Sequence, residues 1–270
     1  DPMDEDVREL IPHPPLPEVN RAKGRIGFDF STIHAGGGLS SSSTMTGMMI
    51  EADVTRIGGS HWNLSGYWRG RLDSTSGTGQ QTLQDLINRT YHMSLTYVNP
   101  DSRWVAGFGR LYLPWPSSLE TIDGGYFGRK LSKRVTAGLF GGSTPDPTSY
   151  SYSLDRHLAG TFFNISGGSY DDVHYSSTWG IGLNMLKSQV DRPFVYTENE
   201  VSYKTMFSLY EALQIDKPHT GPGVTAVNAG LGRSFVTARF QPVRKLSFDF
   251  NHNYFRDVPT YDPQLVGTGL

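Results

Sequence analysis

Few residues of this chain have the types and spacing of a catalytic or metal-binding motif. The sequence of 270 residues contains no cysteine, which excludes a thiolate metal site, a cysteine nucleophile and a disulfide scaffold. Its eight histidines show no ligand spacing, and the HExxH, Walker, GxSxG and EF-hand patterns are missing. Ser60 and His61 would pair a nucleophile with a base, but neighbours along a strand point to opposite faces. The sequence therefore predicts a protein without catalysis, metal or cofactor.

The chemistry that the sequence does offer is a set of polar and charged side chains at alternating positions. The clearest example is the segment 61–73, HWNLSGYWRGRLD, in which every second residue is polar. Across strands, opposite charges form pairs worth about 0.2–1 kcal/mol each, or a charged constriction that biases the passage of ions or solutes. These two readings are compatible and stay open here. The polar candidates are Glu51, Asp53, Tyr67, Arg69, Arg71, Asp73, Asp249 and Asn251.

The positions between these polar residues are apolar, so each segment predicts a strand with one apolar and one polar face. The apolar candidates are Phe28, Phe30, Trp62, Leu64, Trp68, Leu72, Trp179, Phe248 and Phe250. Several segments keep this alternation for about ten residues or more, whereas strands of soluble proteins usually have ~5–6 residues. A tilted strand that crosses a bilayer needs ~9–11 residues. Strand length is therefore the feature that favours a membrane-spanning sheet.

The pattern predicts an all-β chain of about 13 strands. They lie near 25–34, 46–55, 61–73, 87–98, 104–113, 125–131, 134–141, 157–166, 174–186, 193–201, 203–216, 224–240 and 245–256. Within 205–215, TMFSLYEALQI also fits an amphipathic helix, but the flanking segments favour a strand.

The predicted connections alternate between short and long. Short polar links are expected at 56–60, 99–103, 131–134, 167–172 and 241–245, and longer stretches rich in Gly, Ser and Pro at 35–45, 74–85, 114–124, 142–155, 217–223 and 257–270. This order is typical of an antiparallel up-and-down meander whose two ends face different environments.

Composition excludes several other classes. The formal net charge of −2 argues against a nucleic-acid-binding surface, and no stretch of 18 apolar residues is present for a transmembrane helix. We expect three regions: an acidic, proline-rich linker at 1–23, the β domain at 24–256, and a loop at 257–270.

Taken together, residues 24–256 resemble an outer-membrane β-barrel of a Gram-negative bacterium, porin-like in architecture, by pattern rather than by a diagnostic motif. The resemblance implies a closed barrel in the bacterial outer membrane, with the apolar candidates facing lipid and the polar candidates facing the lumen. It implies a passive, pore-like or structural envelope protein without catalysis. The partners that it implies are membrane lipid and no nucleic acid.

Two departures from this class concern closure of the barrel. Bacterial barrels usually have an even number of strands, and many end in a strand with a terminal aromatic residue, whereas this sequence ends PQLVGTGL. We therefore expect a complete barrel of ~14–16 strands, in which a further segment or another chain supplies at least one closing strand. The region 257–270 is then an expected truncation point.

Other functions fit part of the pattern. A soluble β-sandwich or β-solenoid could use exposed tyrosines and tryptophans to bind glycans, but it predicts shorter strands and two packed apolar faces. A barrel could also act as a docking or assembly scaffold for partner proteins, which the sequence does not separate from a pore. A barrel hydrolase would need a converging nucleophile, base and orienting group, and the sequence offers no such set.

Overall fold

The computed structural model describes residues 18–36, 41–77, 83–146, 149–218, 228–243 and 245–256. Thirteen strands account for most of them. These are β1 (Arg21–Ala35), β2 (Ser41–Thr55), β3 (Trp62–Gly77), β4 (Leu83–Tyr97), β5 (Trp104–Leu111), β6 (Ile122–Lys130), β7 (Val135–Ser143), β8 (Arg156–Gly168), β9 (Val173–Leu186), β10 (Gln189–Tyr203), β11 (Phe207–Asp216), β12 (Gly230–Val243) and β13 (Leu246–Phe255).

All thirteen strands form one sheet in chain order, and every neighbouring pair is antiparallel. The prediction of an all-β up-and-down meander is thereby confirmed, and the ambiguous segment 205–215 forms strand β11. The described ranges contain no α-helix, and the one helical element is a single 3-10 turn at Ile57–Gly59. Within those ranges no helix has the length and apolar character to cross a membrane.

The six links that follow even-numbered strands, up to β12, are short. Five of them lie at the predicted short links, and the sixth, between β10 and β11, was not predicted. The other end differs from the prediction in two places. The expected long loops at 35–45 and 74–85 are partly strand, since β1 and β2 pair out to Ala35 and Ser41, and β2 pairs with β3 out to Gly77. Serine and threonine satisfy their backbone groups in a hairpin ladder as well as in a loop, so composition alone misplaced these boundaries.

The second difference is the turn between β9 and β10, which contains only Lys187 and Ser188. Both residues have positive φ, 49° and 65°, as a two-residue hairpin turn with the right-handed twist of its strands requires. The strict alternation of short and long links is therefore wrong at this hairpin.

The strands of the described residues extend from Arg21 to Phe255. Strand β1 begins at Arg21, inside the predicted linker 1–23, and β13 ends at Phe255. The rest of that linker, up to residue 17, and the region 257–270 lie outside the described residues. In the part of the chain that is described, β1 pairs only with β2 and β13 only with β12, so the sheet is open.

The two faces of the sheet differ in what covers them. We call the face that carries Phe140, Phe162, Phe194 and Tyr196 the inner face, and the opposite one the outer face. These four aromatic residues belong to a buried cluster centred on β5–β10. The sequence predicted a polar inner face throughout, and this is wrong for that region. The cause is the link between β5 and β6, which lies on the inner face and buries it.

Candidate functional site

The polar candidates on β2 and β3 lie side by side on the inner face. The register pairs Glu51 with Tyr67 and Asp53 with Ser65, so that each carboxylate of β2 lies directly opposite a polar residue of β3. Arg69, Arg71 and Asp73 continue the same face of β3. The structure therefore brings together six of the eight polar candidates predicted from the sequence: Glu51, Asp53, Tyr67, Arg69, Arg71 and Asp73.

Ion pairs connect this group to Arg25 and Asp29 of β1, and we call the eight residues together the charged ladder. Arg25 Nη2 lies 2.8 Å from Glu51 Oε2, and Arg69 Nη2 lies 3.8 Å from Asp29 Oδ2. Within β3, Arg71 Nη2 contacts Asp73 Oδ2 at 2.7 Å. The side chains remain roughly one-quarter to two-thirds exposed, so each pair contributes no more than ~1 kcal/mol. The ladder is thus a partly exposed surface that carries both acidic and basic side chains, and its ion pairs add little to the stability of the fold.

The sequence analysis missed the two β1 members of this ladder. Arg25 and Asp29 occupy alternate positions with Gly27 between them, and β1 pairs with β2 so that all three face inward. This spacing of two charged residues on one face of β1 could have identified them from the sequence. The remaining polar candidates, Asp249 and Asn251, lie on β13 far along the sheet, where Asp249 faces Arg239 at 3.8 Å and Asn251 accepts a hydrogen bond from Thr237 at 3.1 Å.

Ser65 and His92 form a contact that the sequence did not indicate. Ser65 Oγ lies 2.9 Å from His92 Nε2, and the imidazole stacks on Tyr67 with centroids 6.5 Å apart. Among the described residues no carboxylate hydrogen-bonds to His92, so the orienting group of a catalytic triad is missing. The adjacent pair Ser60 and His61 is not a dyad, because the Ser60 hydroxyl donates to Ile57 O at 2.6 Å.

The link 112–121 forms the second part of the site, and we call it the inserted loop. Trp115 stacks on Phe162 of β8 with centroids 4.6 Å apart, and Leu113 and Leu119 are buried in the core. The hydroxyl of Ser117 donates to Oε1 of the buried Glu198 at 2.5 Å. The backbone N–H of residue 118 donates to the other carboxylate oxygen at 2.9 Å. The loop is therefore fixed to the inner face by apolar packing and by one buried carboxylate.

The sequence predicted a long link here but did not indicate the face of the sheet on which it lies. The signal was the presence of Trp115 and two leucines in a stretch that otherwise has loop composition. Large apolar residues in a link have to be buried somewhere, and only the tertiary structure shows that they lie against β6, β8 and β10.

The link 144–155 is held by Arg110, whose side chain is 11% exposed. Arg110 makes a two-pronged contact with Asp123, at 2.6 and 2.5 Å, and donates to the carbonyl oxygens of Thr90 at 2.7 Å and Tyr150 at 2.5 Å. Burial, with a smaller contribution from Tyr112, raises the pKa of Tyr150 above its ordinary value. The phenol is therefore neutral at physiological pH. This arrangement is structural, because the Arg110 guanidinium donates its hydrogen bonds to Asp123 and to two backbone carbonyl oxygens of the protein.

The nine apolar candidates all lie on the outer face. Phe28, Phe30 and Trp179 are 79%, 70% and 49% exposed, and Phe248 and Phe250 are 58% and 59% exposed. Leu64 and Leu72 are also exposed. Trp62 and Trp68 are partly covered. Trp62 packs beside Tyr97 and Phe108, and Trp68 Nε1 donates to Asn88 Oδ1 at 2.5 Å.

No group of His, Asp or Glu in the described ranges has the arrangement of a metal site. Comparison of the chain with protein-family models, with curated proteins and with solved structures gave no match. The function therefore has to be argued from the faces of the sheet and from the inserted loop.

Proposed function

We propose that this chain forms most of a transmembrane β-barrel of the Gram-negative outer membrane, and that it acts as a passive, pore-like or structural envelope protein without catalysis. The observation that carries the proposal is the exposed apolar outer face. On β9–β12, register aligns Ile181, Val195, Ile215 and Leu231, which are 59%, 48%, 50% and 40% exposed. Soluble monomers rarely expose apolar patches above a few hundred Å², whereas acyl chains solvate such a surface.

Aromatic residues near the short links support the same conclusion. Trp104 stacks on Phe127 with centroids 5.1 Å apart, and both rings are about half exposed. The guanidinium of Arg129 lies 5.3 Å above the Trp104 ring. Aromatic rings beside cationic groups are typical of the boundary between acyl chains and headgroups, so this end of the sheet suits one interface of a bilayer.

A membrane location requires closure of the open sheet. An unpaired backbone N–H or C=O in hydrocarbon costs several kcal/mol, and β1 and β13 each leave one edge unpaired within the described residues. In a meander of thirteen strands the first and last run in the same direction, so direct pairing between them would be parallel. One or three added strands, from a further segment or another chain, would restore the antiparallel order and give ~14–16 strands.

The inner face is the basis for choosing a passive pore over the alternatives. The charged ladder on β1–β3 is solvated, while the inserted loop fills the region beside β6–β10. In a closed barrel this division would leave a water path along the charged side and would narrow the rest of the lumen. A docking or assembly scaffold is the second candidate, because links at the long-loop end are held in fixed positions. A soluble glycan-binding sandwich is less well supported, since no second layer covers the outer face of the described sheet.

The decisive experiment is refolding of the purified chain into detergent and into lipid vesicles. We expect a heat-modifiable band on a gel and protection of the strands from protease only in the presence of detergent or lipid. A compact, monodisperse particle in detergent-free buffer would reject the membrane assignment. Conductance in planar bilayers then separates a pore from a scaffold, since a scaffold inserts without conducting.

A further inference from the structure

We propose that a charged cavity on the inner face binds an oxyanion, the carboxylate or phosphate group of a solute. The cavity has a volume of about 240 Å³, much larger than the ~30 Å³ that one water occupies. It lies at the end of the sheet opposite the short links, between the inserted loop and β10–β12. Its charged lining consists of Arg192, Arg233, Arg256, Asp216 and Glu120.

A buried carboxylate organises two of the arginines. The side chain of Asp216 is 1% exposed, with Arg192 Nη1 3.5 Å from one oxygen and the Arg256 guanidinium in contact with the other. Gly232 makes room for this carboxylate, because a Cβ atom at that position would collide with it. One carboxylate thus holds two guanidinium groups, and the centre of the cavity keeps an excess of positive charge.

Several donors of these arginines are unused. The Nε–H groups of Arg192 and Arg256 are buried and have no acceptor among the described residues. Arg233, paired in register with Gln214, likewise makes no hydrogen bond or ion pair within the described ranges. A buried donor without a partner costs ~1–3 kcal/mol. All three arginines line the same cavity, and each keeps at least one donor without an acceptor among the described residues, which suits a ligand rich in acceptors.

The chemistry of guanidinium groups defines the class of ligand. A planar guanidinium presents donors in a fixed fork that matches the oxygens of carboxylates and phosphates. Glu120 lies on the inserted loop at the edge of the cavity and is exposed. Its negative charge repels an anion and therefore opposes anion binding. That this oxyanion belongs to a permeating solute rests on the proposed pore function, whereas binding itself does not require a pore.

The test uses the full chain refolded in detergent, with inorganic phosphate titrated against chloride at constant ionic strength and the thermal unfolding midpoint as the readout. We expect saturable stabilisation of the wild type by phosphate. Arg233→Gln should weaken phosphate binding about tenfold or more, because it removes charged hydrogen bonds. Arg239→Gln, on the same strand and face but outside the cavity, removes the same charge and should leave phosphate binding unchanged.

Absence of stabilisation in the wild type, or an equal loss in the Arg239 variant, would overturn the proposal. If Arg233→Gln does not fold, Glu120→Gln serves instead, since it removes an exposed opposing charge. It should tighten phosphate binding several-fold, and unchanged or weaker binding contradicts the site. Phosphate binding without conductance in planar bilayers would reject the pore and retain the site, whereas conductance without phosphate binding would do the reverse.

Discussion

At the scale of single residues, Glu198 joins strand β10 to the inserted loop on the inner face. It is 8% exposed and accepts hydrogen bonds from Ser117 and Ser118 of the inserted loop. A buried carboxylate is tolerated only when donors compensate for its loss of hydration. Loop and strand therefore stabilise each other, since the loop supplies the donors and the carboxylate fixes the position of the loop.

We expect Glu198→Gln to loosen the inserted loop. The amide loses the charge and places an NH₂ group near one of two donors, which should lower the free energy of unfolding by about 1–3 kcal/mol. It should also make residues 112–121 more sensitive to protease. Denaturant unfolding in detergent and mass spectrometry of the cleavage sites measure the two effects.

The matched control is Glu200→Gln, two residues further along the same face of β10 and exposed to solvent. Its stability and cleavage pattern should stay close to those of the wild type. Equal effects of the two substitutions would mean that Glu198 acts only through the overall charge of the strand.

At the scale of secondary-structure elements, large inner-face aromatics lie against glycines of neighbouring strands. A Cβ atom at Gly180 would come within 2.7 Å of Tyr196 Cε1, and one at Gly138 within 2.6 Å of Phe162 Cζ. The ring needs the space that a side chain on the adjacent strand would occupy. These pairs account for part of the high glycine content, and a side chain at either glycine would disturb the packing of β7 on β8 or of β9 on β10.

Gly180→Ala tests this packing. The added methyl group overlaps the Tyr196 ring and the Thr161 carbonyl oxygen, so we expect a loss of about 1–3 kcal/mol in unfolding free energy. Gly66→Ala is the control, because its nearest neighbour would be His92 O at 3.9 Å. Denaturant midpoints of the two variants in the same detergent give the comparison, and equal midpoints would rule out a role for the ring contact.

At the scale of the whole molecule, the outer face decides which solvent surrounds the protein. Large apolar side chains on it remain exposed from β1, where Phe28 is 79% exposed, to β13, where Phe250 is 59% exposed. In water this surface would drive association, because burial of apolar area yields ~25 cal/mol per Å². In a bilayer the same surface contributes to insertion.

Ile181→Arg distinguishes these two environments. Ile181 lies in the middle of β9 on the outer face and is 59% exposed. In a bilayer we expect a loss of about 2–4 kcal/mol in the free energy of folding into vesicles. In water the same change would be almost neutral. The fraction that shows heat-modifiable migration after refolding into vesicles measures the effect.

Leu131→Arg is the control for position. Leu131 lies in the short link after β6 and is 60% exposed, so the new charge would sit among the headgroups and change vesicle folding little. An Ile181 variant that folds into vesicles as well as the Leu131 variant would contradict a lipid-facing outer surface.

Much of the fold follows from local pattern because alternation is a property of the strand itself. A period of two in segments such as 61–73 predicts which residues share a face, and the register places the nine apolar candidates on one face of the sheet and the eight polar candidates on the other. The limits of β1–β4 were less predictable, because serine, threonine and glycine occur both in loops and at the ends of long hairpins.

The amino-acid sequence by itself determined the class of fold, the number and order of the strands and the side of each strand on which charge lies. Only the tertiary structure decided where the link 112–121 goes, which arginines meet Asp216, and that half of the inner face is an apolar core. The physical reason is the distance along the sequence between the residues that determine each feature. Alternation is set by neighbours along one strand. Ser117 and Glu198, in contrast, are eighty-one residues apart, and the arginine cavity brings Leu119 and Arg256 together. Such contacts depend on the curvature and register of the whole sheet.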